Sequence, residues 1–457
     1  MNAMTVSERL SHAVATSHPE TQAVSRRTAE RLLLDVVGIC LAARHEPYVA
    51  AALASLDGTG PCTAIGHGVR LSAEGAAFVN GIAAHGEDFD DTYEGGPVHA
   101  GAVIVPAVLA AAQRHSLSGD DVLRGIAHGV EVMCRLCAVA PTQVHKAGFH
   151  PTAIFGAVGS VVAVGSAMRI SETQMVNALG LAGSMASGII EYLADGSWTK
   201  RMHPGWAAQS GYRAVRLAQA GFLGPRTVFE GTHGLFHGFA NTKQGNFEAM
   251  LDGYGRDCWW HSIAFKPYAC GTMAHPYIDC ARALRRQGIS PTDIVRIDCD
   301  TAEGIVHRLW EPAATKAAPP NAYSAKFSVP YAIACGFILD DAGLSAYTDT
   351  MVERTDLCEL AAKVHYTIDP QNPYPKQFTG HVSVTLKDGT VHTERQGFFK
   401  GGADNPLSDD DLNRKFLANA QYGGYSAMAA QALLGQLPSL LSQDRLNWDL
   451  FSLDSTS

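Results

Sequence analysis

Residues 24 to 43 read VSRRTAERLLLDVVGICLAA, and this stretch sets the class of fold. Its apolar positions recur at helical spacing with charges on the opposite face, the pattern of a helix buried along one side. Working outward, residues 71–85, 100–115, 120–139, 152–169, 171–186 and 206–220 carry the same helical character, rich in Ala and Gly. Small side chains let helices approach closely, so a bundle of long buried helices is expected. Breakers separate them at Glu94-Gly-Gly-Pro97, Gly148-Phe-His-Pro151 and Gly221-Phe-Leu-Gly-Pro225.

The character changes near Phe265. VRIDCD at 295–300 and VHYTI at 364–368 alternate as strands do, and HVSVTLKDGTVHT at 381–393 predicts a hairpin turning at Asp388-Gly389. Residues 274–287 and 326–339 read as helices on that sheet, and helical patterning returns after Ser408. The expected fold is mainly α. Residues 1–265 and 399–457 form a large all-helical domain from both chain ends, and residues 266–398 form a smaller inserted α+β domain.

A chain of 457 residues, 46% hydrophobic and 17% charged, is globular and long enough for two cores. Its net charge of −9, from 35 Lys+Arg against 44 Asp+Glu, argues against nucleic acid as a partner. An anionic small molecule is not excluded, because a ligand feels its own pocket more than the whole surface. The N-terminal residues lack a basic, then apolar, leader pattern, and the apolar stretches fall short of the ~20 residues of a membrane span, so neither export nor membrane insertion is expected. The ten cysteines follow no disulfide-like spacing, which points to reduced thiols in a cytoplasm.

Four segments could do chemistry. HGEDFDDTYEGGPVH at 85–99 packs three aspartates, two glutamates, two histidines and a threonine between two apolar helices. Such a run is as often a solvated loop, but between buried helices it opens into a cleft where carboxylate and imidazole can serve as acid and base. His150 stands just before a Gly/Ala-rich helix, where helix N-terminal donors favour an anion; capping or packing is an equal alternative for it alone. Lys200, Arg201 and His203 precede the 206–220 helix as a basic loop, and such cations would hold carboxylates, although alone the segment reads as solvated. Lys266-Pro-Tyr268-Ala-Cys270-Gly-Thr-Met-Ala-His275 falls at the expected domain junction. Tyr331, starting an apolar helix, is a weaker candidate and usually core. No P-loop, GxGxxG after a strand, GxSxG or HExxH occurs, and Cys134 and Cys137 form a lone CxxC inside a helical pattern, so neither a nucleotide cofactor nor a metal is expected.

In this order, HGEDFDDTYEGGPVHAGAVIVP (85–106), GFHPTAIFG (148–156), KRMHPGWAAQSG (200–211), residues 221–225, FEG (229–231), residues 266–275 and AKFSVPY (325–331) resemble the MmgE/PrpD family. The likeness spans nearly the whole chain. That family includes 2-methylcitrate dehydratases, cis-aconitate decarboxylases and iminodisuccinate epimerases. The resemblance implies an inserted α+β lid domain, a homodimer, no cofactor, and a small di- or tricarboxylic acid as substrate. It places cleft positions on Asp88, Thr92, His99, His150, Lys200 and Lys266, with Tyr331 added. Asp88, His99 and His150 would be acid or base, Lys200 and Lys266 would hold carboxylates with Arg201 and His203 helping, and Thr92 and Tyr331 would orient the substrate. The shared step is proton loss or gain beside a carboxylate, and dehydration of the 2-methylcitrate type is the leading expectation, with decarboxylation and epimerisation as alternatives. Two departures stand out: His99 lies one residue further from Asp88 than in the decarboxylase pattern, which bears on its placement, and Gly271-Thr272-Met273 replaces the arginine-bearing stretch of KPYPCCRxxH, which bears on the substrate. The rivals of another class are a non-catalytic carboxylic-acid-binding protein and a metal- or cluster-dependent hydratase.

Overall fold

The computed structural model describes residues 3–451, and the protein is mainly α, with helices from both ends of the chain and a smaller α+β part between them. The chain divides into two compact units. The first holds residues up to Gly86, Asp90–Ala264 and the chain from Leu412 onward; the second holds Glu87–Phe89 and Phe265–Asp411. Among the described residues no single helix is long and apolar enough to cross a membrane.

The longer helices of the first unit's N-terminal part are α1 (Val6–Thr16), α2 (Ser25–Ala43), α3 (Pro47–Ala54), α4 (Ala73–His85), α5 (Gly101–His115), α6 (Gly119–Val139), α7 (Pro151–Ala167), α8 (Glu172–Met185) and α9 (Thr199–Gln219). Three of them start on a reciprocal cap: Thr5 with Glu8, Ser118 with Asp121 and Ser171 with Gln174, each satisfying two otherwise orphaned N–H groups. Helix α7 is buried along its whole length, and α6 and α9 pack against it. Helix α9 also crosses α4 at close range: a Cβ on Gly205 would stand 2.2 Å from the Phe78 carbonyl oxygen, and one on Gly81 would stand 2.6 Å from the Gly205 Cα. Only glycine at both positions lets the two backbones meet.

Helix α9 corrects one expectation. Lys200, Arg201 and His203 do not precede the helix; they form its first turns, and Pro204 lies inside it. Proline removes a donor and crowds the carbonyl four residues back, which is why the sequence reads as a break there. Burial of His203, Pro204, Gly205, Ala207 and Ala208 outweighs that local cost.

The short strands β1 (Cys62–Thr63) and β2 (Arg70–Leu71) pair antiparallel, as do β3 (Thr92–Tyr93) and β4 (Ile263–Ala264), all in the first unit. The second unit is built on a four-stranded sheet of β5 (Ile294–Thr301), β6 (Val364–Ile368), β7 (Gly380–Leu386) and β8 (Val391–Gln396), in the order β6-β5-β7-β8. Strands β5 and β6 are parallel, with Ile297 opposite Val364, and the other pairs are antiparallel. Gly389, at φ +85°, makes the left-handed residue of the expected β7–β8 turn. Val382 and Val384 are buried, and α10 (His275–Arg286) packs on β7 and β8 and against α11 (Val329–Ile338).

Candidate active site

The first unit gathers the histidines. His85 is the last residue of α4. The chain leaves through Gly86, where any Cβ would stand 2.2 Å from the Tyr48 ring. On the far side of the run, Asp90 and Asp91 are fully buried. Both Asp91 carboxylate oxygens accept from the Gly101 N–H, at 2.9 and 3.1 Å, which caps the start of α5. Burial pushes the Asp91 carboxyl well above the usual carboxylate range, with the neighbouring Asp90 the second cause. The Asp90 carboxylate accepts from His85 Nδ1 at 2.7 Å and lies 3.6 Å from His99 Nδ1.

His99 Nδ1 is 2.8 Å from the Asp91 carbonyl oxygen, and its backbone N–H donates to Thr152 Oγ1 at 3.2 Å. A carbonyl only accepts, so Nδ1 of His99 carries the hydrogen and its Nε2 carries the lone pair when the ring is neutral. His150 precedes α7, and its backbone N–H donates to the Gly188 carbonyl at 2.9 Å. Its Nδ1 lies 3.1 Å from Nδ1 of His203. Ring centroids are 4.9 Å apart for His85 and His99, 5.7 Å for His85 and His150, 6.4 Å for His99 and His150, and 5.2 Å for His150 and His203. Burial lowers the His150 imidazole well below its ordinary value, with His85, His203, Lys200 and His99 adding repulsion. The same cause brings His203 down to about 4, with His85 and Lys200 contributing. Both rings are therefore neutral near pH 7, the form that accepts a proton. Of their facing Nδ1 atoms one must carry hydrogen and the other a lone pair.

The remaining predicted residues fall as follows. Lys200 is half-buried in the first turn of α9 and acts electrostatically on His150 and His203. Arg201 places its guanidinium over the Tyr48 ring, 4.4 Å from the centroid. Thr92 is buried on β3, its backbone paired with Ala264. His203, expected to touch substrate, is buried and hydrogen-bonded to His150. In the second unit, Lys266 donates from Nζ to the Asp88 carbonyl at 2.8 Å and lies 3.4 Å from its carboxylate, both side chains buried. Asp88 is left-handed, at φ +54°, a conformation that costs a non-glycine residue about 1–2 kcal/mol. Tyr331, expected to orient the substrate, is fully buried at the start of an apolar helix, and its hydroxyl donates to the Ala346 carbonyl at 3.0 Å.

Sequence reasoning passed over three residues that the structure brings forward. His85 and Asp90 lay inside the quoted polar run, and the signal was an imidazole at the end of an apolar helix followed five residues later by an aspartate. Lys326 is the other buried lysine on the second unit's segment Glu87–Phe89: its Nζ donates to the Glu87 carbonyl at 2.7 Å and to the Glu87 carboxylate at 2.8 Å. It stood within AKFSVPY without being singled out. As for a metal, His85, Asp90 and His99 offer ligand atoms within 4.8 Å of one another. The short Nδ1–carboxylate bond between His85 and Asp90 already uses that edge of the ring for a proton.

A helical unit built from both chain ends, an inserted α+β unit and a buried imidazole cluster define an enzyme-like α protein with proton-transfer groups. The chain matches the MmgE/PrpD N-terminal domain over residues 8–248 and the MmgE/PrpD C-terminal domain over residues 268–434, and it belongs to the MmgE/PrpD family. It is similar to the cis-aconitate decarboxylase of Mus musculus, 33% identical over 360 residues that cover 77% of this chain and 72% of the relative. The human cis-aconitate decarboxylase is 32% identical over 367 residues, covering 77% and 73%. That of Aspergillus terreus is 27% identical over 397 residues, covering 80% and 79%.

Proposed function

We propose that this protein is a lyase of the MmgE/PrpD type that moves a proton at the carbon beside a carboxylate of a small di- or tricarboxylic acid, with no metal or organic cofactor. The observation that carries the reading is the convergence of four imidazoles, the buried His85, His150 and His203 and the partly buried His99, with His150 and His203 held neutral and the Lys200 ammonium acting on those two. A C–H beside a carboxylate is a very weak acid, and its ionisation builds charge on the carboxylate oxygens. A base must stand at the carbon and cations at the oxygens. In this reading His150 and His99 exchange the proton and Lys200 holds a carboxylate. Asp88 and Lys266 are assigned to the same chemistry as a second acid/base and a second cation, and Thr92 orients the substrate.

Decarboxylation of a cis-aconitate-like acid is the first reaction to test, supported by the names of the similar proteins. There a C–C bond breaks, CO₂ leaves, and the electron pair left on carbon takes a proton from an acid of the site. Dehydration of a 2-methylcitrate-like acid, the reaction expected from the family resemblance, is the second. There a base takes the C–H proton, and the β-hydroxyl takes a proton from an acid of the site and leaves as water. A homodimer is proposed as the working form, supported by exposed Ile189, Leu193, Trp198, Met202 and Trp206 within one stretch of chain; light scattering on the purified protein tests it.

NMR in D₂O with cis-aconitate, 2-methylcitrate, citrate and iminodisuccinate separates loss of CO₂, loss of water, inversion and plain exchange. His150→Ala is expected to lower turnover of the responding acid by about 10²–10⁴-fold. Absence of turnover and of deuterium entry with every acid would leave a non-catalytic binding protein and sink the proposal.

A further inference from the structure

We propose that Asp90 is a positioning residue that fixes the tautomer of His85, so that its ring, like that of His99, keeps its lone pair on Nε2. The catalytic part of this inference rests on the function proposed above; the tautomers do not.

The Asp90 side chain is fully buried, as is that of His85. One of its oxygens, Oδ2, lies 2.7 Å from His85 Nδ1 and 3.6 Å from His99 Nδ1. A carboxylate accepts and does not donate, so the hydrogen of a neutral His85 sits on Nδ1. His99 is fixed the same way by the Asp91 carbonyl at 2.8 Å, with Asp90 reinforcing it. The backbone helps to aim both rings: His85 ends α4, and the His99 N–H is tied to Thr152 at the start of α7.

The pair His150 and His203 behaves differently. Their Nδ1 atoms face each other at 3.1 Å, so in the neutral pair one ring has its hydrogen on Nδ1 and the other on Nε2. The neutral cluster therefore offers lone pairs at Nε2 of His85, of His99 and of one member of the pair, and an N–H at Nε2 of the other. One donor among three acceptors is a set of bases with a single acid. An Asn at position 90 would reverse this at His85, because its amide N–H₂ can turn to Nδ1 and drive the ring hydrogen to Nε2. In a serine protease the equivalent change keeps the geometry and lowers kcat about 10⁴-fold through the wrong tautomer.

The test uses the full-length protein labelled with ¹⁵N-histidine, with the His85 and His99 signals assigned from His85→Gln and His99→Gln. Long-range ¹H–¹⁵N spectra of the wild type near pH 7.5 are expected to show both rings protonated at Nδ1. In Asp90→Asn the His85 hydrogen is expected at Nε2, and kcat on the responding acid should fall by roughly 10²–10⁴-fold while KM stays within about threefold. A wild type with its hydrogen on Nε2 of His85 overturns the inference whatever the variant does. An unchanged His85 tautomer in Asp90→Asn, or a kcat that survives a reversed one, overturns it too. If no acid is turned over yet the tautomers are as drawn and reverse in the variant, the positioning role stands and the proposed function fails.

Discussion

Lys326→Met probes how the second unit holds the tripeptide Glu87–Phe89. In the wild type the Lys326 Nζ donates to the Glu87 carbonyl at 2.7 Å and to its carboxylate at 2.8 Å, and the two side chains are only 2% and 9% exposed. Methionine keeps the length of the side chain and removes its charge. The Glu87 carboxylate is then buried without its cation, a change that costs about 3–5 kcal/mol. In Glu87→Gln/Lys326→Met the charge is gone from both sides, and the main remaining loss is the donor to the Glu87 carbonyl, about 1 kcal/mol. The double variant should therefore be more stable than the single one by about 2–4 kcal/mol. In differential scanning calorimetry a unit of this size shifts by about 2–4 °C per kcal/mol. The single variant should lower its transition by roughly 6–20 °C, and the double should recover more than half of that. A single-variant shift under about 2 °C, or a double variant that melts below the single, would refute the view that this ion pair holds the segment carrying Asp88.

Three further outcomes are expected. Burial lowers His203 to about 4 and His128 to about 3, so both rings stay neutral in the folded chain while the unfolded chain protonates them below about 6.5. The stability they contribute is complete above that pH and is lost as pH falls: at pH 5 each costs about 2 kcal/mol, and an unchanged melting temperature between pH 7 and pH 5 would contradict it. Gly205→Ala forces a Cβ to 2.2 Å from the Phe78 carbonyl oxygen, so the α4–α9 crossing must widen. It should cost about 1–3 kcal/mol or more and lower turnover through displacement of Lys200 and His203 on the same helix, read by melting and steady-state kinetics. Prolonged treatment with EDTA should leave turnover unchanged, whereas loss of activity restored by zinc or iron would point to a metal on His85, Asp90 and His99.

Much of the helical unit was legible because it rests on local physics. The helices α2, α4, α5, α6, α7 and α8 follow from apolar periodicity, and their observed ends lie within about two residues of the expected ones. The alternating runs gave the strands β5, β6, β7 and β8, and Asp388-Gly389 gave their turn. The start of α9 was not legible, since Pro204 breaks helices locally and only the contact between Gly81 and Gly205 with the burial behind it overrides that preference. Of the candidate site, the polar run at 85–99, His150 and the KRMH segment stood out as chemistry-bearing residues. Their partners did not: spacing cannot say that His203 meets His150, that Asp90 accepts from His85, or that Tyr331 spends its hydroxyl on Ala346.

The sequence by itself determined most of the long helices, the four strands of the second unit, their turn and the family, because each is written in neighbouring residues or in the order of short motifs. Tertiary structure alone decided which histidine nitrogen faces which acceptor and that Lys266 and Lys326 hold Asp88 and Glu87. The physical reason is that a hydrogen bond or a buried ion pair depends on separations of about 3 Å between atoms 178 to 239 residues apart in the lysine pairs, and such separations exist only after the helices have packed.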